Sequence, residues 1–236
     1  MEHGSPTTEP GYPSGRSQLY EVSVFIFLIA PSMVLSYFAV KQQSPGFVLT
    51  ALGTIFHNLA FLSLIVFFAW KNGEPMDRFG WVKKGLSREV TAGLWLFLLM
   101  VLMTSLISQI LSGAGVSLPS KPLPSFLTAR SPAGYALAAV LVVVVAVSEE
   151  IMFRGYLIVR LNAVTRRRSL AVLLSTSIFA LGHGYEGKVG VVAVFFIGLF
   201  LAVVYLWRKS LVAPMVIHFL QDLMGLFVVP LFKQFQ

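Results

Sequence analysis

The run AGYALAAVLVVVVA, Ala133–Ala146, carries no charge over fourteen residues. In lipid no water is available to hydrogen-bond the backbone, so such a run must satisfy its own N–H and C=O groups as a helix. Six further apolar runs approach the roughly 20 residues needed to cross a hydrocarbon core of about 30 Å. The seven expected spans are Leu19–Val40, Val48–Trp70, Thr91–Leu111, Ala133–Leu161, Leu170–Gly187, Val189–Trp207 and Leu211–Phe232. The runs are continuously apolar rather than alternating, which favours helices over a barrel. The fold class is therefore all-α, a polytopic transmembrane bundle of seven helices, or eight if the long fourth segment divides. Hydrophobic residues make up 56% of the chain and charged residues 12%, well away from the balance of about 45–50% and 25% in soluble domains.

Residues 1–18 are rich in Pro, Gly, Ser and Thr and are expected to form a disordered cytoplasmic tail before a single membrane-embedded domain over 19–236. The tail lacks the basic and short apolar regions of a signal peptide. The net charge of +8 sits in loops, with no soluble basic face to bind nucleic acid. One alternate set of loops carries twelve Lys and Arg (Arg16; Lys71, Arg78, Lys83, Lys84, Arg88; Arg160, Arg166, Arg167, Arg168; Arg208, Lys209). The other carries five (Lys41; Lys121, Arg130; Lys188; Lys233). The positive-inside rule then places the N-terminus in the cytoplasm. A bacterial or archaeal inner membrane is the expected setting, with lipid as the surrounding partner. The loop KNGEPMDRFGWVKKGLSREV is expected to be an ordinary connection, and His57 a helix-contact residue. There are no cysteines, which removes disulfides and a thiol nucleophile.

Ionisable side chains inside membrane helices are costly and mark sites or pathways. Here they cluster. The fourth segment carries Glu149, Glu150 and Arg154, the fifth His183, and the seventh His218 and Asp222. Glu150 and Arg154 are four apart and share a helix face, as do His218 and Asp222. Glu149 is rotated from Glu150 by about 100°. Counting ~1.5 Å per residue from the cytoplasmic ends puts Glu149 ~18 Å deep, His183 ~20 Å, Asp222 ~17 Å and His218 ~11 Å. Three helices thus bring carboxylates and imidazoles to one level. A buried carboxylate beside an imidazole can activate water, and a donor can stabilise the resulting oxyanion. The same residues could instead hold a divalent metal such as zinc. No cofactor is required by the sequence.

His-Glu-x-x-His, Gly-x-Ser-x-Gly and Gly-x-Gly-Asp are all absent, which argues against zinc, serine and aspartyl intramembrane proteases of those types. Three other motifs occur in order within 133–225: Glu149-Glu150-Ile151-Met152-Phe153-Arg154-Gly155, Phe179-Ala180-Leu181-Gly182-His183 and His218-Phe219-Leu220-Gln221-Asp222. Through them the chain resembles the CAAX protease and bacteriocin-processing family of intramembrane endopeptidases. The resemblance implies hydrolysis of a membrane-associated, for instance prenylated, protein or peptide from a cavity open to the cytoplasm. It implies that Glu149 with His183 activates water, that His218 and Asp222 stabilise the oxyanion, and that Glu150 and Arg154 are structural or orienting. A metal role at these positions is also implied as an alternative. Asp222 stands where relatives of the eukaryotic enzyme have Asn. An Asp donates a hydrogen bond only when protonated, so its oxyanion role is weaker than that of His218.

Two other classes fit the same residues. A non-catalytic immunity or scaffold protein could share the fold. A proton-coupled carrier also needs buried charges, but no inverted repeat is visible. The orientation has a direct check. With no native cysteine, Arg167→Cys should be labelled by a membrane-impermeant maleimide from the cytoplasmic side, and Lys188→Cys from the opposite side. The reverse pattern would overturn the assignment.

Overall fold

The structure is a computed structural model, and it describes residues 13–41, 46–82, 85–113, 129 and 131–228. Most of the expected tail and the end of the seventh span lie outside the described residues. Every described regular element is helical. In order they are α1 (Gly15–Lys41), α2 (Phe47–Lys71), a 3-10 turn (Met76–Phe79), α3 (Leu86–Gly113) and α4 (Pro132–Glu149). A π-helical segment (Glu150–Leu157) leads into α5 (Ile158–Thr165). Then come α6 (Arg168–Gly182), a 3-10 turn (Gly184–Glu186), α7 (Gly187–Arg208), α8 (Val212–Leu223) and a π turn (Met224–Val228). The helical bundle expected from the apolar runs is present, and α1 begins four residues before its expected edge. The fourth segment is one continuous rod from Pro132 to Thr165, apolar enough to cross a bilayer. Ser131 starts it by accepting a hydrogen bond from Gly134 N at 3.1 Å, with Pro132 in the first turn, where a missing N–H costs nothing.

Among the described residues, five helices are long and apolar enough to span a membrane: α1, α2, α3, the α4–α5 rod and α7. Their outer faces stay apolar, with Phe27, Phe56, Trp95 and Phe196 all more than 60% exposed. In water that would be an aggregation surface, and in lipid it is the expected exterior. The other two helices are short. α6 has 15 residues, about 22 Å at 1.5 Å per residue, less than a full crossing. It therefore ends inside the bundle and brings His183 with it.

The rod packs on α2, α6 and α8, while α1 lies along α5 and α3 along α8. The main core joins Phe25 and Ile29 of α1 to Phe61 and Ile65 of α2, Phe153 and Tyr156 of the π segment, and Phe179 of α6. His57 meets Ser32 Oγ at 3.4 Å and the Phe61 ring at 4.8 Å, as expected of a helix contact. The connection after α2 is more than a loop. Phe79 is fully buried against Tyr156, and Leu211 N donates to Gly80 O at 2.9 Å. A Cβ on Gly155 would lie 2.8 Å from Phe79 O, so glycine there is what lets this turn seat beneath the rod.

Arg160 requires a correction. It counts as a loop charge in the sequence, yet it is completely buried. Its Nε donates to Glu21 Oε2 at 2.7 Å, its Nη1 donates to Glu74 Oε1 at 2.9 Å, and its Nη2 also donates to Glu74. Tyr156 donates its hydroxyl to the same Glu21 oxygen at 2.8 Å, and Asn72 donates to Glu21 Oε1 at 2.7 Å. The rod is long enough to carry Arg160 past the lipid-facing stretch into a ring of acceptors from α1 and the α2–α3 connection. At the same end Arg208 pairs with Glu89 at 2.5 Å, tying α7 to α3. These ion pairs join helix ends that hydrophobic burial alone would let slide.

Burial pushes the Glu74 carboxyl up, but the hydrogen bond and charge of Arg160, with the charge of Arg78 and a bond from Asn72, outweigh it and hold the pKa below the ordinary carboxylate range. A depressed folded pKa gives stability that is present above the unfolded value and is lost as pH falls through the folded one. Arg160→Met leaves the buried Glu21 carboxylate without a cation and Glu74 with Arg78 alone, and should cost about 3–5 kcal/mol. In detergent melts at neutral pH the variant should unfold well below wild type. The gap should narrow as pH drops through the carboxylate range, because Glu74 is then protonated in both proteins.

Candidate active site

The segment VSEEIMFRGYL explains its own charges once folded. Glu149 is the last α-helical residue and Glu150 the first of the π segment. The turn of about 100° between them sends the Glu150 side chain inward, at 0% exposure, and leaves Glu149 16% exposed. Arg154 Nη1 donates to Glu150 Oε1 at 2.8 Å and Nη2 donates to Gly198 O at 3.3 Å. The guanidinium lies 4.2 Å from the centre of the Phe179 ring. π segments are often found at functional sites. This one widens the rod where it meets α6, and Ser175 Oγ donates to Phe153 O at 2.6 Å across that contact.

Glycine at 198 is required by the same packing. A Cβ there would stand 2.9 Å from the Phe179 ring and 3.3 Å from Arg154 Nη2. α7 can approach the rod only where its side chain is missing.

His218 stands at the centre. Its Nδ1 lies 2.8 Å from Glu150 Oε1. A carboxylate can only accept, so Nδ1 carries the proton in this bond. Nε2 then points at two further carboxylates, Glu149 Oε2 at 3.8 Å and Asp222 Oδ2 at 3.6 Å. Both spacings exceed a direct hydrogen bond. Glu149 Oε2 and Glu150 Oε2 are buried with no hydrogen-bond partner. His183 terminates α6, and its Nδ1 donates to Phe179 O at 3.0 Å, leaving Nε2 as the acceptor of the neutral ring. The Phe179 ring contacts both imidazoles, at 4.8 Å from His183 and 6.1 Å from His218. The Tyr185 ring stacks near His183 at 5.8 Å.

Of the six residues singled out in the sequence, Glu149, Glu150, Arg154, His218 and Asp222 are thus linked through short contacts, and His183 joins them through Phe179. Among the described residues no hydrogen bond or ion pair links His183 to Glu149, the pair expected to share a water. The imidazole nearest Glu149 is His218. Among the described residues no group of three His, Asp or Glu side chains is disposed to hold a metal ion. Glu150 Oε1 is taken up by Arg154 and His218. Several supporting residues went unread in the sequence. Glu21 is the clearest, an acid two residues into the first expected span and detectable by the same logic that found Glu149. Gly198 and Ser175 carry no sequence signal of their role.

Residues 131–224 match the family described as Type II CAAX prenyl endopeptidase Rce1-like. The match spans all three motifs and covers less than half of the chain. Neither the curated proteins nor the solved structures gave a match.

The two adjacent glutamates should separate in stability. Glu150→Gln leaves Arg154 buried without its counter-charge and should cost about 3–5 kcal/mol. Glu149→Gln removes a buried carboxylate that has no cationic partner within hydrogen-bond reach, so its melting temperature in detergent should equal or exceed that of wild type. Equal losses for both would refute the division of roles.

Proposed function

We propose, from the premise that residues 131–224 belong to the Rce1-like protease family, that this membrane protein is an endopeptidase using glutamate-activated water. The observation that carries the reading is the Glu149–His218–Glu150 arrangement: a carboxylate with no cation within hydrogen-bond reach, facing an imidazole whose far nitrogen is fixed by a second carboxylate. One water oxygen hydrogen-bonded to Glu149 Oε2 also reaches the level of His218 Nε2. Glu149 takes a proton from that water as its oxygen attacks the peptide carbonyl carbon. The carbonyl π pair moves onto oxygen, and the resulting oxyanion accepts a hydrogen bond from protonated His218 Nε2. The tetrahedral intermediate collapses, the C–N bond breaks, and Glu149 returns its proton to the leaving amine. Water and peptide become a carboxylic acid and an amine, which ionise to carboxylate and ammonium, with the enzyme unchanged.

Asp222, four residues from His218, then orients the ring and supports its charge instead of donating to the oxyanion. His183, with Nε2 as acceptor, is a second contact for the water or for a substrate N–H. Glu150 and Arg154 hold the geometry. The substrate class is a membrane-associated protein or peptide, with a prenylated C-terminus as the first candidate. An opening of this site toward the cytoplasm is part of the reading, on the orientation that the loop-charge bias gives.

The test is cleavage of a farnesylated CAAX peptide and of a membrane-peptide library by purified protein in detergent. Glu149→Gln and His218→Ala, each matched for folding, should lose about 10²–10⁴-fold in kcat/KM. Chelator-treated wild type should keep its rate. Cleavage that survives Glu149→Gln, or that a chelator abolishes and zinc restores, would overturn the mechanism. A folded wild type that cleaves neither the peptide nor the library would favour a non-catalytic role.

A further inference from the structure

A cavity of about 410 Å³ opens at the charged end of the bundle, apart from the site around His218. Three cations border it, Arg168, Lys209 and Arg78, the last paired with Glu74, against one acid, Asp77, and its wall includes Ile158 and Tyr205. Arg168 and Lys209 are exposed, and neither makes an ion pair among the described residues. Arg168 opens α6, whose preceding residue offers no side-chain cap. The positive end of that helix therefore adds to the field of Arg168 and Lys209.

The level of this cavity can be read from the protein. Trp70, Trp81 and Trp207 are all exposed, at 76%, 42% and 66%. They stand at the end of α2, beyond the 3-10 turn and at the end of α7. Tryptophans collect at the membrane–water interface, level with lipid headgroups. Gly80, which also lines the cavity, is bonded to Leu211, so the rim is pinned to α8 and does not depend on a loose loop.

We propose that this cavity binds the phosphodiester headgroup of an anionic phospholipid from the adjoining leaflet. Net positive charge selects an anion, and the planar guanidinium of Arg168 suits phosphate oxygens. The apolar wall and the interfacial tryptophans select a lipid over a soluble ion, since acyl chains can run down the exposed apolar sides of α6 and α7. Lipid held here would bridge the 3-10 turn, α5, α6 and α7, the elements that position the rod. This site is independent of the proposed chemistry, and its test needs no substrate.

The experiment is native mass spectrometry of the full chain released from nanodiscs of mixed phosphatidylglycerol and phosphatidylcholine. It compares wild type, Arg168→Gln/Lys209→Gln and the control Arg88→Gln, whose side chain is exposed outside the cavity. Lys209→Gly is a second variant. Lys209 has φ 53°, so glycine removes the charge while easing the backbone. Wild type should retain phosphatidylglycerol over phosphatidylcholine. The double variant should lose about thirtyfold of that preference, Lys209→Gly a smaller part in the same direction, and Arg88→Gln almost none. Equal retention of the two lipids by wild type would overturn the site. So would a loss in Arg88→Gln as large as in the double variant, which would indicate diffuse attraction. Inorganic phosphate that displaces the lipid at millimolar concentration would overturn the choice of a lipid and assign a free anion.

Discussion

The Glu150–Arg154 pair is the interaction on which the arrangement rests. Neither charge could stand alone in a bundle interior, where an unpaired ion costs several kcal/mol. Paired at 2.8 Å they satisfy each other, and each has capacity to spare. Arg154 uses a second nitrogen to reach the Gly198 carbonyl, and Glu150 Oε1 also meets His218 Nδ1. One intrahelical pair therefore connects the rod to α7 on one side and to α8 on the other. The π segment, Gly198 and the Phe179 ring are the steric conditions for that connection.

Two ionic clusters divide the work by depth. The inner one, around Glu150, fixes an imidazole in a low-dielectric interior. The outer one, around Arg160, ties α1 and the α2–α3 connection to the far end of the same rod. Between them the rod is lined by Phe153, Tyr156 and Leu157, all buried. A rigid element held at two levels can present Glu149 without spending a partner on it. That leaves a carboxylate with an unsatisfied buried oxygen next to a histidine, an arrangement costly for folding and useful for proton transfer.

The short helices matter as much as the charged residues. α6 and α8 carry both imidazoles, and α6 is too short to cross a bilayer alone. Ending α6 at Gly182 places the His183 imidazole at a helix terminus, where its ring bonds the backbone one turn back.

Much of this was legible in the residues themselves. Lipid leaves the backbone no choice but helix, so continuous apolar runs such as Ala133–Ala146 determine the fold class. Helical spacing determines that Glu150 and Arg154 share a face and that Glu149 does not. The three ordered motifs carry the resemblance that the family match over 131–224 repeats. Contacts between distant elements could not be read this way, because periodicity places a side chain on a face without saying what meets it. Only the tertiary structure put His218, and not His183, beside Glu149, drew Arg160 out of a presumed loop into Glu21 and Glu74, and seated Phe79 under Gly155. Those outcomes depend on which helix faces which and at what height, and those are set by the packing of the whole bundle.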